Sequence, residues 1–442
     1  MPIKNYIQPL SHFFWYCLWL SLPLSKAFLS VSVTALVILG LLHLVLERST
    51  STNSFSRFDF RPIVYLSVLY LVYVTSCLYS DNTQESIKWL SRSSGLLLVP
   101  LAVVWQYRLL LQHYKSYLGA FIGATLVASL ATLLLYVLPE NITITISEQL
   151  SGIFLPYNLN NNRMSFGLYS PFLDRLQLGN LVSLSLLSLV WLWNNLHKKS
   201  EKTAAWVALL VLGITQLLLG ARAAQLSLFF SMSGLLLVVL AQKIYHRQRW
   251  SKQNTILITA LGLGVVMVLL PYLSYRYITP FQYRYHQLQW EMEQVWNNDF
   301  QQSDYQHFTS LRRLVSWQHT WTLTKQHLIV GVGVGDYYDE LQKIYDNDSL
   351  DLPINSHSQY LQIWAAVGLV GLIAFLWSLA YWWWALQQKA KLRLAAFGSA
   401  VLLYYLIAFV FDAFLLRQIE NTVFPLFLAS IYVFCYLPIG RK

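Results

Sequence analysis

Two arginines and one histidine stand beside long apolar segments, at positions where charged side chains meet a membrane surface. Arg222 lies in LLLGARAAQLSL, Arg313 lies in SLRRLVSWQHTW, and His357 heads the run HSQYLQIWAAVGLVGL. Guanidinium groups bind phosphate oxygens through paired hydrogen bonds, and an imidazole accepts a proton near neutral pH. These residue types suit chemistry on a lipid-linked pyrophosphate at the mouth of a membrane bundle.

Each of these residues also has a plain structural interpretation. An arginine such as Arg222 is costly between apolar spans unless it meets water, an anion or a carboxylate, but at a helix end it also snorkels to the interface. A solvated helix face explains Arg313, and an interfacial histidine explains His357. Ion pairs between helices are the favoured interpretation of the other charges at predicted outer helix ends, although Arg175 alternatively contributes to a substrate cavity. Those charges are Asp174, Arg175, Asp412, Arg417 and Glu420.

Two motifs resemble ligand loops without meeting their requirements. The glycines of VGVGVGDYY, from Val330 to Tyr338, are not followed by Lys and Ser or Thr, which argues against a nucleotide-binding loop. The acidic run DNDSLD begins like a calcium loop but has Asp351 where such a loop requires glycine, so a solvated turn is favoured. The three cysteines fit no disulfide framework or zinc spacing. We therefore expect no metal site and no cofactor.

The elements that must position these residues are membrane helices. The chain is 56% hydrophobic, 15% aromatic and only 12% charged, which is typical of an integral membrane protein. Windows of about 20 apolar residues predict about twelve spans. They fall near 10–23, 27–46, 62–79, 93–111, 116–138, 171–194, 204–220, 223–241, 254–271, 358–385, 395–412 and 421–438. The first pair is expected to form a tight helical hairpin at Pro23.

The distribution of lysine and arginine predicts the orientation. Alternate predicted helix ends are rich in these residues, as at Lys198, Lys199, Lys389 and Arg393, whereas the other ends are poor in them. By the positive-inside rule, both termini and the rich ends are cytoplasmic. The net charge of +11 is thus mostly a topology signal, and it does not indicate a nucleic-acid partner.

The predicted spans divide the chain into three parts. Residues 1–271 form N-terminal helices with an irregular outer loop near 139–170, residues 272–356 form a large polar outer loop, and residues 357–442 form C-terminal helices. Within the large loop, Tyr283 to Trp296 and Ser310 to His327 have the spacing of amphipathic helices. The glycine-rich run is expected to end the second of these.

Together, GARAAQ, the stretch from RLVSW to GVGVGDY, and HSQYLQIWAAVGLVGL resemble the O-antigen ligase and polymerase superfamily of bacterial membrane glycosyltransferases. The resemblance covers mainly residues 205 to 385. In that family, His-Asn commonly heads the last run, whereas this chain has His357 followed by Ser358. The resemblance implies an all-α, GT-C-like membrane fold with a large helical periplasmic loop. It also implies a multi-pass protein of the bacterial inner membrane with a periplasmic site.

The activity that this resemblance implies is transfer of a glycan from an undecaprenyl pyrophosphate carrier. A ligase uses lipid A core as acceptor, whereas a polymerase of O-antigen or another surface polysaccharide uses another lipid-linked glycan. In either case we expect a metal-independent inverting displacement in which His357 is catalytic and Arg222, Arg313 and Arg175 bind substrate. A membrane transporter is the alternative from another class, but it would be expected to show related halves and broken helices near the bilayer midplane.

Overall fold

The computed structural model describes residues 4–47, 58–138, 170–248, 279–297, 309–348 and 355–437, together with Leu350 and separate positions between 254 and 277. All regular secondary structure within those ranges is helical, as the sequence predicted. The helices are α1 Lys4–Ser21, α2 Lys26–Glu47, α3 Arg61–Ser76, α4 Thr83–Ser93, α5 Gly95–Val137, α6 Arg175–Leu192, α7 Lys199–Leu218, α8 Arg222–Gln248, α9 Thr279–Asn297, α10 Thr309–Gln326, α11 Tyr337–Asn347, α12 Gln359–Lys389, α13 Leu392–Phe411 and α14 Gln418–Val433.

Among the described residues, eight helical stretches are long and apolar enough to cross a membrane. The sequence predicted about twelve spans, and the following differences explain the lower number. Helix α1 forms but falls outside these eight, and α3 is a shorter apolar helix. The predicted span 254–271 and the loop near 139–170 fall largely or wholly outside the described residues. The two predicted spans 93–111 and 116–138 form one continuous stretch.

That continuous stretch, α5, folds back on itself. Its 43 residues would extend about 65 Å if straight, roughly twice the thickness of a bilayer core. The backbone is non-helical at Gln106 and His113. Gly95 contacts the start of α14, whereas Tyr114 contacts Phe434 just beyond its end. The later Phe121 then packs on Phe427 in the middle of α14, with ring centroids 5.2 Å apart. The two halves therefore run in opposite directions along α14, as two separate spans would.

Several other sequence-based boundaries agree with the structure. Helices α1 and α2 pack together as the predicted hairpin, with the chain turning between Ser21 and Lys26. The two amphipathic segments of the polar stretch form α9 and α10. Helix α10 ends at Gln326, just before the glycine-rich run. These helices therefore bring the polar stretch against the bundle, where α10 packs along α12.

Residues predicted to lie at cytoplasmic helix ends do gather at one end of the bundle. Lys389 Nζ lies 3.3 Å from Asp59 Oδ2 and donates a hydrogen bond of 2.7 Å to the hydroxyl of Tyr436. Arg61 forms a second ion pair with Asp59, at 2.9 Å. The starts of α6, α8, α12 and α14 lie at the opposite end, where the candidate site residues are found.

Candidate functional site

Helix α8 begins at Arg222 because the chain turns sharply just before it. Gly220 has a φ of 63°, and the following alanines of GARAAQ are almost fully buried. They pack against α6, where a side chain on Gly179 would lie only 3.2 Å from the Cβ of Ala221. Small residues on both helices permit this close approach. The close packing of α6 and α8 places Arg222 near Arg175, which is the first residue of α6 and lies one turn before Gly179.

Arg313 joins this pair from the polar stretch. Its guanidinium lies within electrostatic reach of Arg222 and Arg175, and also of the carboxylates Asp412 and Glu291. Burial lowers the pKa of Arg313 from its ordinary value, and the nearby Asp412 opposes this shift. The three arginines that the sequence singled out are thus brought to one end of the bundle. Such a concentration of guanidinium groups suits a polyanionic substrate.

A carboxylate that sequence reasoning missed accompanies the arginines. Glu291 on α9 is 1% exposed, and its Oε2 accepts a 2.8 Å hydrogen bond from the backbone N–H of Ser310. It therefore satisfies a donor in the first turn of α10 and lies within electrostatic reach of Arg222. In the sequence, Glu291 reads as one charge on an amphipathic helix. No local pattern links it to an arginine 69 positions earlier.

His357 adopts an unusual backbone conformation beside these groups. Its φ of 47° lies in the left-handed region, which few residues other than glycine occupy. The amide N–H of His357 donates to Asn355 Oδ1 at 2.9 Å, and its carbonyl accepts a 3.2 Å hydrogen bond from Trp317 Nε1. Backbone strain that the surroundings hold in place is concentrated at functional sites. Trp317 also fixes α10 beside the histidine, one helical turn after Arg313.

Ser358, where the sequence departs from the family pattern, stands at the start of α12 and is fixed by its backbone. It occupies the N-cap position without a capping hydrogen bond from its side chain, and its carbonyl accepts hydrogen bonds from Ser356 Oγ at 2.9 Å and from the amide of Gln362 at 3.0 Å. Ser358 is itself only 5% exposed. These contacts hold the turn that carries His357.

The imidazole of His357 faces a buried carboxylate. Its Nδ1 atom lies 3.9 Å from Oδ1 of Asp412, which directly follows α13 and is 1% exposed. Burial raises the pKa of the Asp412 carboxyl, but Arg417, His357 and Arg313 together lower it, from 3.8 to about 2. Asp412 is therefore an anion at neutral pH.

Arg417 connects this carboxylate to the helix that bears Arg175. Its Nη2 lies 3.2 Å from Asp412 Oδ2, and its Nε lies 3.7 Å from Asp174 Oδ2. Asp174 in turn caps α6, because its Oδ1 accepts a hydrogen bond from the amide of Leu176 at 2.7 Å. The ion pairs that the sequence indicated at outer helix ends are thus present. They join the segments that carry His357 and Arg175 into one polar network.

The amides at the centre of the glycine-rich run are occupied within the protein. The backbone N–H groups of residues 331–335 all donate to acceptors within the protein, either carbonyls or the hydroxyls of Ser76 and Ser80. A phosphate-binding loop instead directs such amides at its ligand. The structure therefore agrees with the rejection of a nucleotide-binding interpretation.

The acidic run after α11 is partly described. Asp348 Oδ2 lies 2.6 Å from Nε2 of the buried His319 on α10, so this carboxylate ties the end of α11 to α10. Asp351 lies outside the described residues. In the part of the chain that the structure describes, no three His, Cys, Asp or Glu side chains are grouped as a metal would require.

The fold and the site define a multi-pass, all-helical membrane protein with an arginine-rich polar site at one end of its bundle. A family model described as O-Antigen ligase matches residues 206–376, from α7 into α12. The resemblance to this family is confirmed over that region, which contains Arg222, Arg313 and His357. Arg175 and Asp412 lie outside it. The comparison with curated proteins found no match.

Proposed function

We propose that the protein transfers a glycan from an undecaprenyl pyrophosphate carrier to lipid A core. The observation that carries this proposal is the convergence of Arg175, Arg222 and Arg313 near His357 and its carboxylate partner Asp412. Arginines suit the pyrophosphate of the donor, and the histidine suits a hydroxyl of the acceptor. The family that matches the centre of the chain supports the same assignment.

In the proposed reaction, the oxygen of the acceptor hydroxyl attacks the anomeric carbon of the donor glycan. The bond between that carbon and the pyrophosphate oxygen breaks, and undecaprenyl pyrophosphate leaves with the bonding electrons. The hydroxyl proton passes to His357, whose resulting positive charge is stabilised by Asp412. A single displacement of this kind inverts the configuration at the anomeric carbon.

The arginines stabilise the charge that develops on the leaving pyrophosphate. Their guanidinium groups already lie within electrostatic reach of one another, so little reorganisation is needed during the reaction. Guanidinium groups here take the electrostatic role that a metal ion has in other phosphate-dependent enzymes. Transfer by the purified protein is accordingly expected to continue in excess chelator. Loss of transfer in chelator with recovery on addition of a divalent ion would contradict this.

Polymerisation of a surface polysaccharide is the second candidate, because it uses the same donor with another lipid-linked glycan as acceptor. Gene deletion followed by analysis of surface lipopolysaccharide separates the two. Loss of a ligase leaves full-length polymer on its lipid carrier, and the lipid A core then carries none of this polymer. Loss of a polymerase leaves single repeats attached to lipid A core. Unchanged lipopolysaccharide and polysaccharide would contradict both.

We further propose that the site faces the periplasm from the inner membrane. The support is the grouping of Lys389 and Arg61 at the end of the bundle opposite to Arg222, since basic residues mark cytoplasmic ends. Reporter fusions near residues 200, 247 and 390 should report a cytoplasmic location, and a fusion near residue 300 an external one. A cytoplasmic location of residue 300 would contradict a site that faces the periplasm.

A further inference from the structure

Helix α12 is broken at Gly368, ten residues after Ser358. Gly368 has a φ of 70° and a ψ of −177°, a combination that is open essentially only to glycine. A break of this kind deprives the flanking carbonyls and amides of their usual partners one helical turn away. Within a membrane bundle those groups must be satisfied by other parts of the protein.

The loop that follows α10 satisfies them. Residues 328–333 lie alongside the break and pair with its backbone groups. Four hydrogen bonds of 2.8 to 3.3 Å join the two, with donor named first: Val332 to Ala365, Gly333 to Ala366, Leu369 to Leu328 and Val370 to Ile329. The loop thus forms hydrogen bonds with the broken helix in the way that a neighbouring strand would.

This pairing requires glycine on both sides. A Cβ atom on Gly368 would lie 2.0 Å from the carbonyl oxygen of Ile329, and one on Gly331 would lie 2.5 Å from the amide nitrogen of Gly368. Both clashes are with backbone atoms, which cannot rotate away. Gly331 also has a φ of 76°, which disfavours a side chain there.

The other side of the same loop is fixed to the N-terminal part of the bundle. The amides of Val334 and Gly335 donate to Ser76 Oγ and Ser80 Oγ, at 3.4 and 3.2 Å. The carboxylate of Asp336 accepts hydrogen bonds from the two amides at residues 81–82, at 2.9 and 2.8 Å. The loop is therefore held between α12 and the segment that joins α3 to α4.

The first part of α12, residues 359–367, is consequently held against α10 at both of its ends. Trp317 donates to the carbonyl of His357 near one end. Trp364 packs edge-on against Trp321, with ring centroids 5.3 Å apart, and donates to the carbonyl of Leu328 at 3.0 Å near the other. Trp317 and Trp321 lie on α10, one and two turns after Arg313.

We infer that Gly368 and the loop of residues 328–335 form a backbone joint that sets the position of His357 relative to Arg313. The joint directs residues 359–367 along α10 rather than along the axis of residues 369–389. Gly368 and Gly331 are positioning residues, since they touch no reacting atom. The inference rests on the proposed function only for the roles of Arg313 and His357.

The test uses the full-length protein with Gly368→Ala, with Gly331→Ala as a second variant. Gly213→Ala is the matched control, because a Cβ there meets nothing within 4 Å. Hydrogen exchange followed by mass spectrometry should show faster exchange in residues 328–333 and 365–370 for the two joint variants only. Unchanged hydrogen exchange of these two segments in both variants would contradict the existence of the joint, whatever the protein transfers.

A double-variant cycle then tests whether the joint acts through the histidine. Gly368→Ala alone should reduce glycan transfer roughly 100-fold, the loss expected when catalytic groups shift by about 1 Å. In a His357→Ala background, the same change should add little to the loss. A full additional loss in that background would show a general structural defect and overturn the positioning role. If His357→Ala itself transfers normally, the proposed function fails, while the exchange result still decides the joint.

Discussion

Nδ1 of His357 lies 3.9 Å from Oδ1 of Asp412, and this carboxylate is in turn 3.2 Å, through its Oδ2, from the guanidinium of Arg417. The pair is formed by residues 55 positions apart, one before α12 and the other after α13. In the proposed reaction, Nε2 is the nitrogen that takes the proton of the acceptor hydroxyl, because Nδ1 lies beside the buried carboxylate. We therefore propose that Asp412 acts as an electrostatic partner of His357.

We predict that Asp412→Asn reduces glycan transfer. The amide keeps the shape of the side chain but removes the charge that stabilises a protonated His357, so the loss is bounded by the contribution of a general base, about 100- to 10,000-fold. Transfer is measured with purified protein and compared with Asp348→Asn, which alters the exposed carboxylate beside His319. Equal activity of Asp412→Asn and wild type would remove Asp412 from the mechanism.

The depressed pKa of Asp412 also predicts how stability changes with pH. Because its pKa is lower in the folded state, about 2 against an ordinary 3.8, the ionised carboxylate stabilises the fold at any pH above about 4. That contribution is lost as the pH falls from about 4 towards 2. Thermal unfolding of detergent-solubilised protein should therefore show a smaller drop across this window in Asp412→Asn than in wild type. An equal drop in both proteins would argue against a depressed pKa.

Arg222→Ala and Arg313→Ala should each abolish or strongly reduce transfer while the protein stays inserted in the membrane. The reason is loss of positive charge at the pyrophosphate. Replacement by lysine should restore activity incompletely, since an ammonium group lacks the paired donors of a guanidinium. Lys325→Ala, an exposed change on the same helix as Arg313, serves as the control and should transfer normally. Wild-type transfer by either arginine-to-alanine variant would exclude that arginine.

Hydropathy and charge predicted the parts of this protein that depend on local sequence. Long apolar windows located the spanning helices, and the spacing of apolar residues located α9 and α10. Hydropathy did not predict the break in α12 at Gly368, because AAVGLVGL is apolar throughout and is typical of an uninterrupted helix. Only the pairing with a loop some 35 residues earlier makes the break favourable.

The candidate site was predictable to a similar extent. The arginines and His357 stand out because charged or titratable groups are unusual next to apolar spans. Their carboxylate partners do not stand out in the same way. Glu291 lies among other polar residues, and the proximity of Asp412 to His357 depends on how α12 and α13 pack. The left-handed backbone at His357 accompanies a local hydrogen bond from its amide to the side chain of Asn355, and a second hydrogen bond from the distant Trp317 that the sequence does not reveal.

The most direct test of the account measures donor-lipid binding and glycan transfer in the same preparations of purified His357→Ala and wild-type protein. Because the histidine is assigned to the acceptor hydroxyl, the variant should bind the undecaprenyl pyrophosphate-linked glycan as wild type does. Its transfer should fall by about 100- to 10,000-fold, with some residual turnover. Normal transfer by His357→Ala, or a loss of donor binding that accounts for the whole defect, would contradict the assignment.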